Sequence, residues 1–546
     1  MQETVEVLVV GAGPVGLTAA YELTRRGVRV RLVDGAAGPA TTSRAIATHP
    51  RTMETYDQIG VLDEMLARSR RITAFTVFQN GRRLARLDAD YTGSPTRFPF
   101  TVTIDQVTTE DVLRTALARL GVRPEWGIRL ETFSQGAQGV TATLRHADGT
   151  AESVDVPWLI GADGGHSTVR KVLGLPLIGE SNETWLLADA TVETELPPNS
   201  IYLIRAEGGT LMMAPMPGEN RWRMLDTVDV DYGGDGEAVA ARFARKLSAG
   251  LGHQVRVARP GWVSVFTAQQ RMVPSMRAGR AFVAGDAAHV HSPASGQGMN
   301  TGIQEAYNLA WKLAMVLRGQ ADDALLDTYG TERVPIGRAL LGSTKRATQL
   351  VALKNTLAGL ALPVVFGLVR RLAPLRVKMQ RTALGRVSGL NVGYPESPLT
   401  VAAGADPRGP RPGERIGQVL PERAAATGWC ELFEELRDVR WTLLVHEGGP
   451  ATERAAREAA SAYDPFLSVR TVGAPGSDEG TYPLADPDHA LRDDLCTVPG
   501  GWLLVRPDGY VAARGTALTE RALAAAFAPV LGGRTRGPAS AATADS

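Results

Sequence analysis

The sequence predicts an α/β protein of more than one domain, and three stretches carry the prediction. Residues 5 to 34, VEVLVVGAGPVGLTAAYELTRRGVRVRLVD, run as strand, glycine turn, helix and strand. Residues 281 to 318 run as an apolar strand ending at Asp286, a loop of small residues, and a long helix beginning near Asn300. Between them, residues 181 to 270 alternate as strands do, around one helix near 236 to 250. At 546 residues the chain has room for about three domains.

The first stretch is a complete βαβ unit of the dinucleotide-binding, Rossmann-like kind. Gly11 permits a tight turn, Gly13 lets the backbone approach a pyrophosphate, and Gly16 lets the helix pack closely on the strand, with Pro14 and Val15 between them. Asp34 stands 18 residues after Gly16, at the end of the second strand, where a carboxylate accepts from a ribose hydroxyl. A carboxylate there suits an unphosphorylated ribose, and so FAD or NAD rather than NADP.

Next come Ser43, Arg44 and THPRTMETYDQIG at 48 to 60, a polar loop entering a helix. Arg44 and Arg51 have the donors to reach cofactor phosphate or carbonyl oxygens, or they are solvated surface arginines. Residues 72 to 105 alternate as strands, and Gln106 precedes a helix carrying Glu110 and Leu113. At 157 to 170, PWLIGADGGHSTVR gives a strand and a small-residue turn with Asp163, Gly164, Ser167 and Arg170. The strands from 181 to 270 carry Trp185, Tyr202, Met212, Met213, Met216, Trp222 and Met224, which line a substrate wall or fill a core.

In the third stretch, Ile303, Ala306, Ala310, Leu313 and Leu317 recur at helical spacing and Gly319 closes the helix. Thr301 and Gln304 fit a capping box. Gly296, Gly298 and Gly302 keep side chains away from whatever meets the positive helix end, so an anionic ring system can sit there. The chain stays helical to about 390. Residues 404 to 415, GADPRGPRPGER, read as a linker, and WTLLVHE at 441 with WLLVRPDGYVAAR at 502 to 514 as strands of a small separate α/β domain. The polar tail 532 to 546 reads as disordered.

Composition removes several classes. Basic and acidic residues number 59 and 58, so nothing points to nucleic acid or another polyanion. Cys430 and Cys496 are far apart, which excludes a disulfide framework and a cysteine-built zinc site and fits a reducing, cytoplasmic setting. An apolar strand begins almost at once, so no secretory signal is expected. The apolar run from Leu350 to Val369 contains Lys354, Asn355 and Pro363 and reads as packed helices rather than a membrane span.

In order along the chain, GAGPVG at 11, GADGGHSTVR at 161 and VAGDAAHVHSP at 283 resemble the motifs of the FAD-dependent aromatic hydroxylases, the family of para-hydroxybenzoate and phenol hydroxylases. The resemblance covers residues 3 to about 395, and 404 to 530 looks like the thioredoxin-like C-terminal domain of the phenol and polyketide hydroxylase branch, here without a cysteine pair. It implies an FAD-binding domain from 1–72, 101–178 and 271–395, a substrate domain from 73–100 and 179–270, and a thioredoxin-like domain at 404–531. It also implies that Asp34 holds the adenosine ribose, that Gly11, Gly13, Pro14, Val15 and Gly16 cradle the dinucleotide, and that Arg44 and Gln106 contact FAD. Asp286 would hold the ribityl or phosphate end, Asp163 would support the turn used when nicotinamide docks, and the backbone from Pro293 through Gly296, Gly298 and Met299 to Asn300 would face the flavin ring. Ser295 and Glu305 depart from the commoner glycine and aspartate of that pattern.

The implied reaction is hydroxylation of an electron-rich aromatic, polycyclic and polyketide-like, by a single-component monooxygenase using NADPH or NADH as a transient electron donor and dioxygen through a flavin C(4a)-hydroperoxide. Baeyer–Villiger insertion, epoxidation and flavin-dependent reduction of prenyl chains are the alternatives on the same fold. A base that ionises a substrate phenol has only weak candidates, Tyr202 and His49, with His289 and His291 less favoured. No metal site is expected, because the two last histidines lack a third ligand at recognisable spacing. The expected state is a monomer or homodimer without a membrane span.

Overall fold

The structure is a computed structural model that describes residues 4–42, 45–89, 91, 93–206, 209–291, 296–351, 385, 387–401, 409–473 and 483–532. Arg44, Pro293, Ser295, most of the tail and part of the predicted linker lie outside the described residues.

Strand Val7–Val10 is central in a six-stranded sheet, and its four apolar residues are all buried, as in a parallel strand covered on both faces. Val30–Asp34 lies parallel on one side of it and Trp158–Gly161 parallel on the other. Ala281–Val283 extends the sheet in parallel beside Trp158–Gly161. The chain therefore leaves Val10 where strand order reverses, the place at which open α/β sheets bind ligands. Helix Pro14–Arg25 packs against both Gln106–Arg119 and Gly298–Leu317, and a three-stranded sheet (Arg129–Gln135, Val140–Arg145, Ala151–Val156) shares the same apolar core.

The second sheet has nine strands, drawn from Ala74–Asp88, from Ile178–Met272 and from His289–Val290. Helix Gly236–Leu251 covers one face, with Val239, Phe243 and Leu247 packed on Leu186, Ala188, Tyr202, Met213, Trp222 and Met224. Period-two alternation sends Trp185, Leu187 and Leu225 to the opposite face, where Met212, Trp262 and Phe266 join them. Of the residues read as wall or core, then, Tyr202, Met213, Trp222 and Met224 are core beneath the helix, Trp185 is buried in a smaller core on the opposite face, and Met212 is half-buried beside it.

The C-terminal domain has a five-stranded sheet. Trp441–His446, Leu467–Gly473 and Pro483–Ala485 run parallel, and the hairpin Trp502–Val505 with Val511–Gly515 closes the other edge antiparallel. Helices Pro450–Ala462 and Glu520–Leu531 complete the thioredoxin-like arrangement, in which Cys430 and Cys496 are both free thiols. Its core is continuous with helix Gly298–Leu317, because the Trp311 and Trp441 rings meet edge to face at 5.4 Å.

Two local expectations need correction. The strand predicted to reach Asp286 stops at Val283, and Asp286 lies in a 3-10 turn, Gly285–Ala287, because Gly285 takes a left-handed φ of 59° that breaks the extended chain. The helix predicted to begin near Asn300 does so, at Gly298, but the capping box predicted for it is not formed: Gln297 precedes the helix with no side-chain cap. Thr301 and Gln304 are inside it; the Thr301 N–H already donates to the Gln297 carbonyl at 2.9 Å and is not a cap. Tertiary bonds set this start: Asn300 Nδ2 donates to the carbonyls of Gly296 and Ala47, each at 2.8 Å.

Candidate active site

The glycine loop is fitted on one side and open on the other. A β-carbon on Gly16 would lie 1.8 Å from the Gly11 carbonyl oxygen, and one on Gly11, at φ 103°, would lie 2.3 Å from the Ala162 oxygen. Both positions require glycine for close approach. A β-carbon on Gly13 would meet nothing within 4 Å, so this is the face left for a ligand. Pro14 occupies the first helical turn without spending an N–H, and no side chain among the described residues caps the helix, so its positive end is directed at an anion. Asp34 stands beside this cradle, its Oδ2 accepting from the Ala12 N–H at 2.7 Å and its Oδ1 from the Ala36 N–H at 2.8 Å.

The three motifs interlock around the loop. Val15 fills the hollow left by two glycines: its Cγ2 would lie 2.8 Å from a β-carbon on Gly285 and 2.6 Å from one on Gly302. Asp286 is exposed between the buried Gly285 and Ala287. Asp163 lies against Gly11 and caps the short helix Thr168–Val172, accepting from Ser167 Oγ at 2.5 Å and from the N–H groups of Thr168 and Val169. Burial raises its pKa, against the pull of these donors. Arg170 joins this turn to the next by donating to the Ala287 carbonyl at 3.3 Å.

The helix beginning at Gly298 presents its N-terminus beside His49. Gly296 takes a left-handed φ of 62°, and a β-carbon there would meet Ala47 at 2.9 Å and His49 Nε2 at 3.5 Å. At Gly298 the neighbour is the His291 ring, at 2.7 Å. The His49 N–H donates to Asn300 Oδ1 at 3.0 Å, and its Nδ1 is 3.2 Å from Thr101 Oγ1, which in turn is 2.9 Å from the Tyr91 hydroxyl. Met299 and Asn300 are buried in this first turn. A cavity of about 480 Å³ opens beside His49, Gln297 and Asn300. Gln106, at the start of its helix, donates through Nε2 to Glu110 Oε1 at 2.8 Å, and burial raises the Glu110 pKa.

Other predicted residues stand elsewhere. Arg51 is 3% exposed and faces the C-terminal domain, donating to the Asp508 carbonyl at 3.0 Å and lying over the Tyr510 ring. Tyr202 sits behind the sheet, its hydroxyl donating to the Pro197 carbonyl at 2.7 Å. His289 pairs with Glu305 (2.7 Å), and its ring stacks on His291. Among the described residues no group of three or more potential metal ligands gathers, and no helix is long and apolar enough to cross a membrane.

Sequence reading missed two buried polar features. Arg223, on the face of the nine-stranded sheet opposite helix Gly236–Leu251, donates from Nε and Nη2 to both oxygens of Asp189 at 2.7 and 2.6 Å, beneath Trp262. Their common face follows from strand register, which a single sequence does not reveal. Where the domains join, Lys312, Glu332, Arg506 and Asp508 form a buried cluster in which Glu332 accepts from Lys312 at 2.7 Å and from Arg506 at 2.6 and 2.9 Å. Only the lysine, four residues after Asn308 on one helix, was visible as a charge inside an apolar pattern.

Comparison with known proteins gives these features a common meaning. The family described as FAD binding domain matches residues 4–344, and the aromatic-ring hydroxylase C-terminal family matches 409–533. The chain is 49% identical to 6-methylpretetramide 4-monooxygenase of Streptomyces rimosus, over 94% of this chain and 92% of that protein. It is 35% identical to pentachlorophenol 4-monooxygenase of Sphingobium chlorophenolicum, over 93% of each. The crystal structure of the flavin-dependent monooxygenase PieE with FAD and substrate matches at a TM-score of 0.75 and 26% identity, over 97% of this chain and 98% of that one. The open cradle at Gly13, the carboxylate of Asp34 and the two helix N-termini suit FAD, and the chain belongs to the FAD-dependent aromatic-ring hydroxylases, as a flavin monooxygenase.

Proposed function

We propose that this enzyme takes electrons from NADPH or NADH and transfers one oxygen atom of dioxygen to an electron-rich, polycyclic, polyketide-like phenol. The observation that carries the reading is the face of the nine-stranded sheet opposite helix Gly236–Leu251, where half-buried Met212, Trp262 and Phe266 surround the buried Trp185, Leu187 and Leu225 as an apolar wall, with the Arg223–Asp189 pair on the same face. Such a wall suits fused rings carrying a few hydroxyl groups. The names of relatives agree in chemistry: one acts on 6-methylpretetramide, and another, 32% identical over 95% of this chain, on tetracenomycin A2.

FAD supplies the hydride acceptance and the activation of dioxygen. For the chain's own residues, we assign Asp34 to the adenosine ribose, the backbone of Gly11 to Gly16 to the pyrophosphate, and Asp286 to the ribityl or phosphate end. The backbone from Gly296 to Asn300 is assigned to the flavin ring, where the helix terminus favours negative charge on it. Gln106 is assigned to contact with FAD, and Asp163 to fixing the turn it caps. The sheet face excludes water and orients the ring to be oxidised.

The test is NADPH and NADH oxidation by the FAD-loaded protein across a panel of simple phenols, polycyclic phenols, ketones and isoprenoids, with product mass determined. Polycyclic phenols should accelerate oxidation and gain one oxygen. Acceleration by isoprenoids alone, or ring expansion of ketones, would overturn the hydroxylase assignment.

A further inference from the structure

Glu305 is fully buried on the helix that carries the flavin loop, and its two oxygens meet donors on either side of Asp286. Oε2 accepts from the Gly285 N–H at 2.9 Å, and Oε1 is 2.7 Å from His289 Nε2. One carboxylate thus ties both ends of the segment from Gly285 to His289. Behind it, Arg333 Nη2 lies 3.9 Å from Oε1 and donates to the Thr301 carbonyl at 3.2 Å, while Nη1 donates to the Tyr394 hydroxyl at 3.1 Å. We infer that Glu305 and His289 are positioning residues that hold the Gly285–Ala287 turn, and with it the exposed Asp286 carboxylate, in place for FAD. The inference rests on the assignment of Asp286 to FAD proposed above.

The chemistry favours a carboxylate. The Gly285 N–H donates to one oxygen and a protonated His289 ring to the other; a glutamine that accepts from Gly285 turns its NH2 toward His289, whose Nε2 must then be unprotonated to accept it, so the charged pair is lost. Charge matters as well. Burial works against a protonated His289 ring, but the Glu305 carboxylate outweighs it and Asp286 adds to that pull, so the proton is held above the usual histidine range. Arg333 opposes this, His291 stacks on the ring, and Arg271 stands on the strand paired with His289–Val290. With its pKa raised in the folded protein, the stabilisation from His289 is complete below the ordinary histidine value and is lost as pH rises through the raised one.

The experiment measures FAD affinity of the reconstituted full-length protein by flavin fluorescence, from about pH 6 to about pH 9. Wild type should bind more weakly as pH rises. Glu305→Gln should weaken binding about tenfold at neutral pH and remove most of that slope, whereas Glu305→Asp should keep the slope. His289→Gln, which retains a donor and removes the titrating charge, should bind more weakly with no slope, and it decides the question alone if Glu305→Gln does not fold. Wild-type affinity and slope in both Glu305→Gln and His289→Gln, with FAD binding impaired in Asp286→Ala, would overturn the inference alone. Unimpaired binding in Asp286→Ala would remove the assignment beneath it.

Discussion

Val15 and Gly302 are matched to each other: a β-carbon on Gly302 would stand 2.6 Å from Val15 Cγ2 and 3.1 Å from the Gly285 Cα. Residues almost three hundred positions apart thereby join the glycine loop to helix Gly298–Leu317. Gly302→Ala should lower stability by about 1–3 kcal/mol, since overpacking forces the loop or helix to move. Val15→Ala added to it should recover part of the loss, giving a double-mutant cycle that is not additive. Denaturant unfolding of the single and double variants measures the coupling; additive losses would mean the two residues do not share the space.

Asp34 both anchors the glycine loop and faces the place assigned to the adenosine ribose. Asp34→Ala should weaken FAD binding by about tenfold to a hundredfold, the worth of charged hydrogen bonds, with a smaller loss of stability. Equilibrium titration of the apoprotein with FAD measures the first effect and thermal unfolding the second.

At the domain junction Glu332 is the acceptor for Lys312, Arg506 and Ser397. Glu332→Gln should destabilise the protein by about 3–5 kcal/mol, because it leaves the buried Lys312 without its carboxylate partner and Arg506 with Asp508 alone. Burial opposes the Glu332 charge, but Arg506 and Lys312 outweigh it and hold the carboxyl well below its ordinary range. A depressed carboxyl pKa gives stability that is present above about pH 4.3 and lost as pH falls below it. Unfolding midpoints across that interval should therefore fall more steeply for wild type than for Glu332→Gln.

The two faces of the nine-stranded sheet, one packed on helix Gly236–Leu251 and one assigned above to the substrate, should respond differently to substitution. Tyr202→Phe should cost about 1 kcal/mol of stability through its bond to Pro197 and leave the pH dependence of turnover unchanged. Phe266→Ala, on the face opposite helix Gly236–Leu251, should raise the KM for an aromatic substrate on the order of tenfold with FAD affinity unchanged. Steady-state kinetics beside FAD titration distinguish the two outcomes.

Local pattern made much of this molecule legible. Gly11 and Gly16 announce their βαβ unit because close backbone approach there has no other residue solution, and the Ile303 to Leu317 periodicity gives helix Gly298–Leu317. What single-sequence reading did not reach depended on long-range partners. The Thr301 and Gln304 capping box did not form, and the first turn is instead tied by Asn300 to the Ala47 carbonyl. Arg51, read as a cofactor ligand or a surface group, is buried against Asp508 and Tyr510 of a domain more than four hundred residues away. Tyr202 and Met212 looked equivalent until strand register put them on opposite faces.

The most direct test supplies isotope-labelled dioxygen and NADPH to the FAD-loaded enzyme with a polycyclic phenol, and follows the label by mass spectrometry. The expected result is one labelled oxygen atom in the aromatic product, with NADPH consumption rising on substrate addition. NADPH oxidation that yields only hydrogen peroxide with every phenol tested, or a product whose new oxygen comes from water, would contradict the assignment.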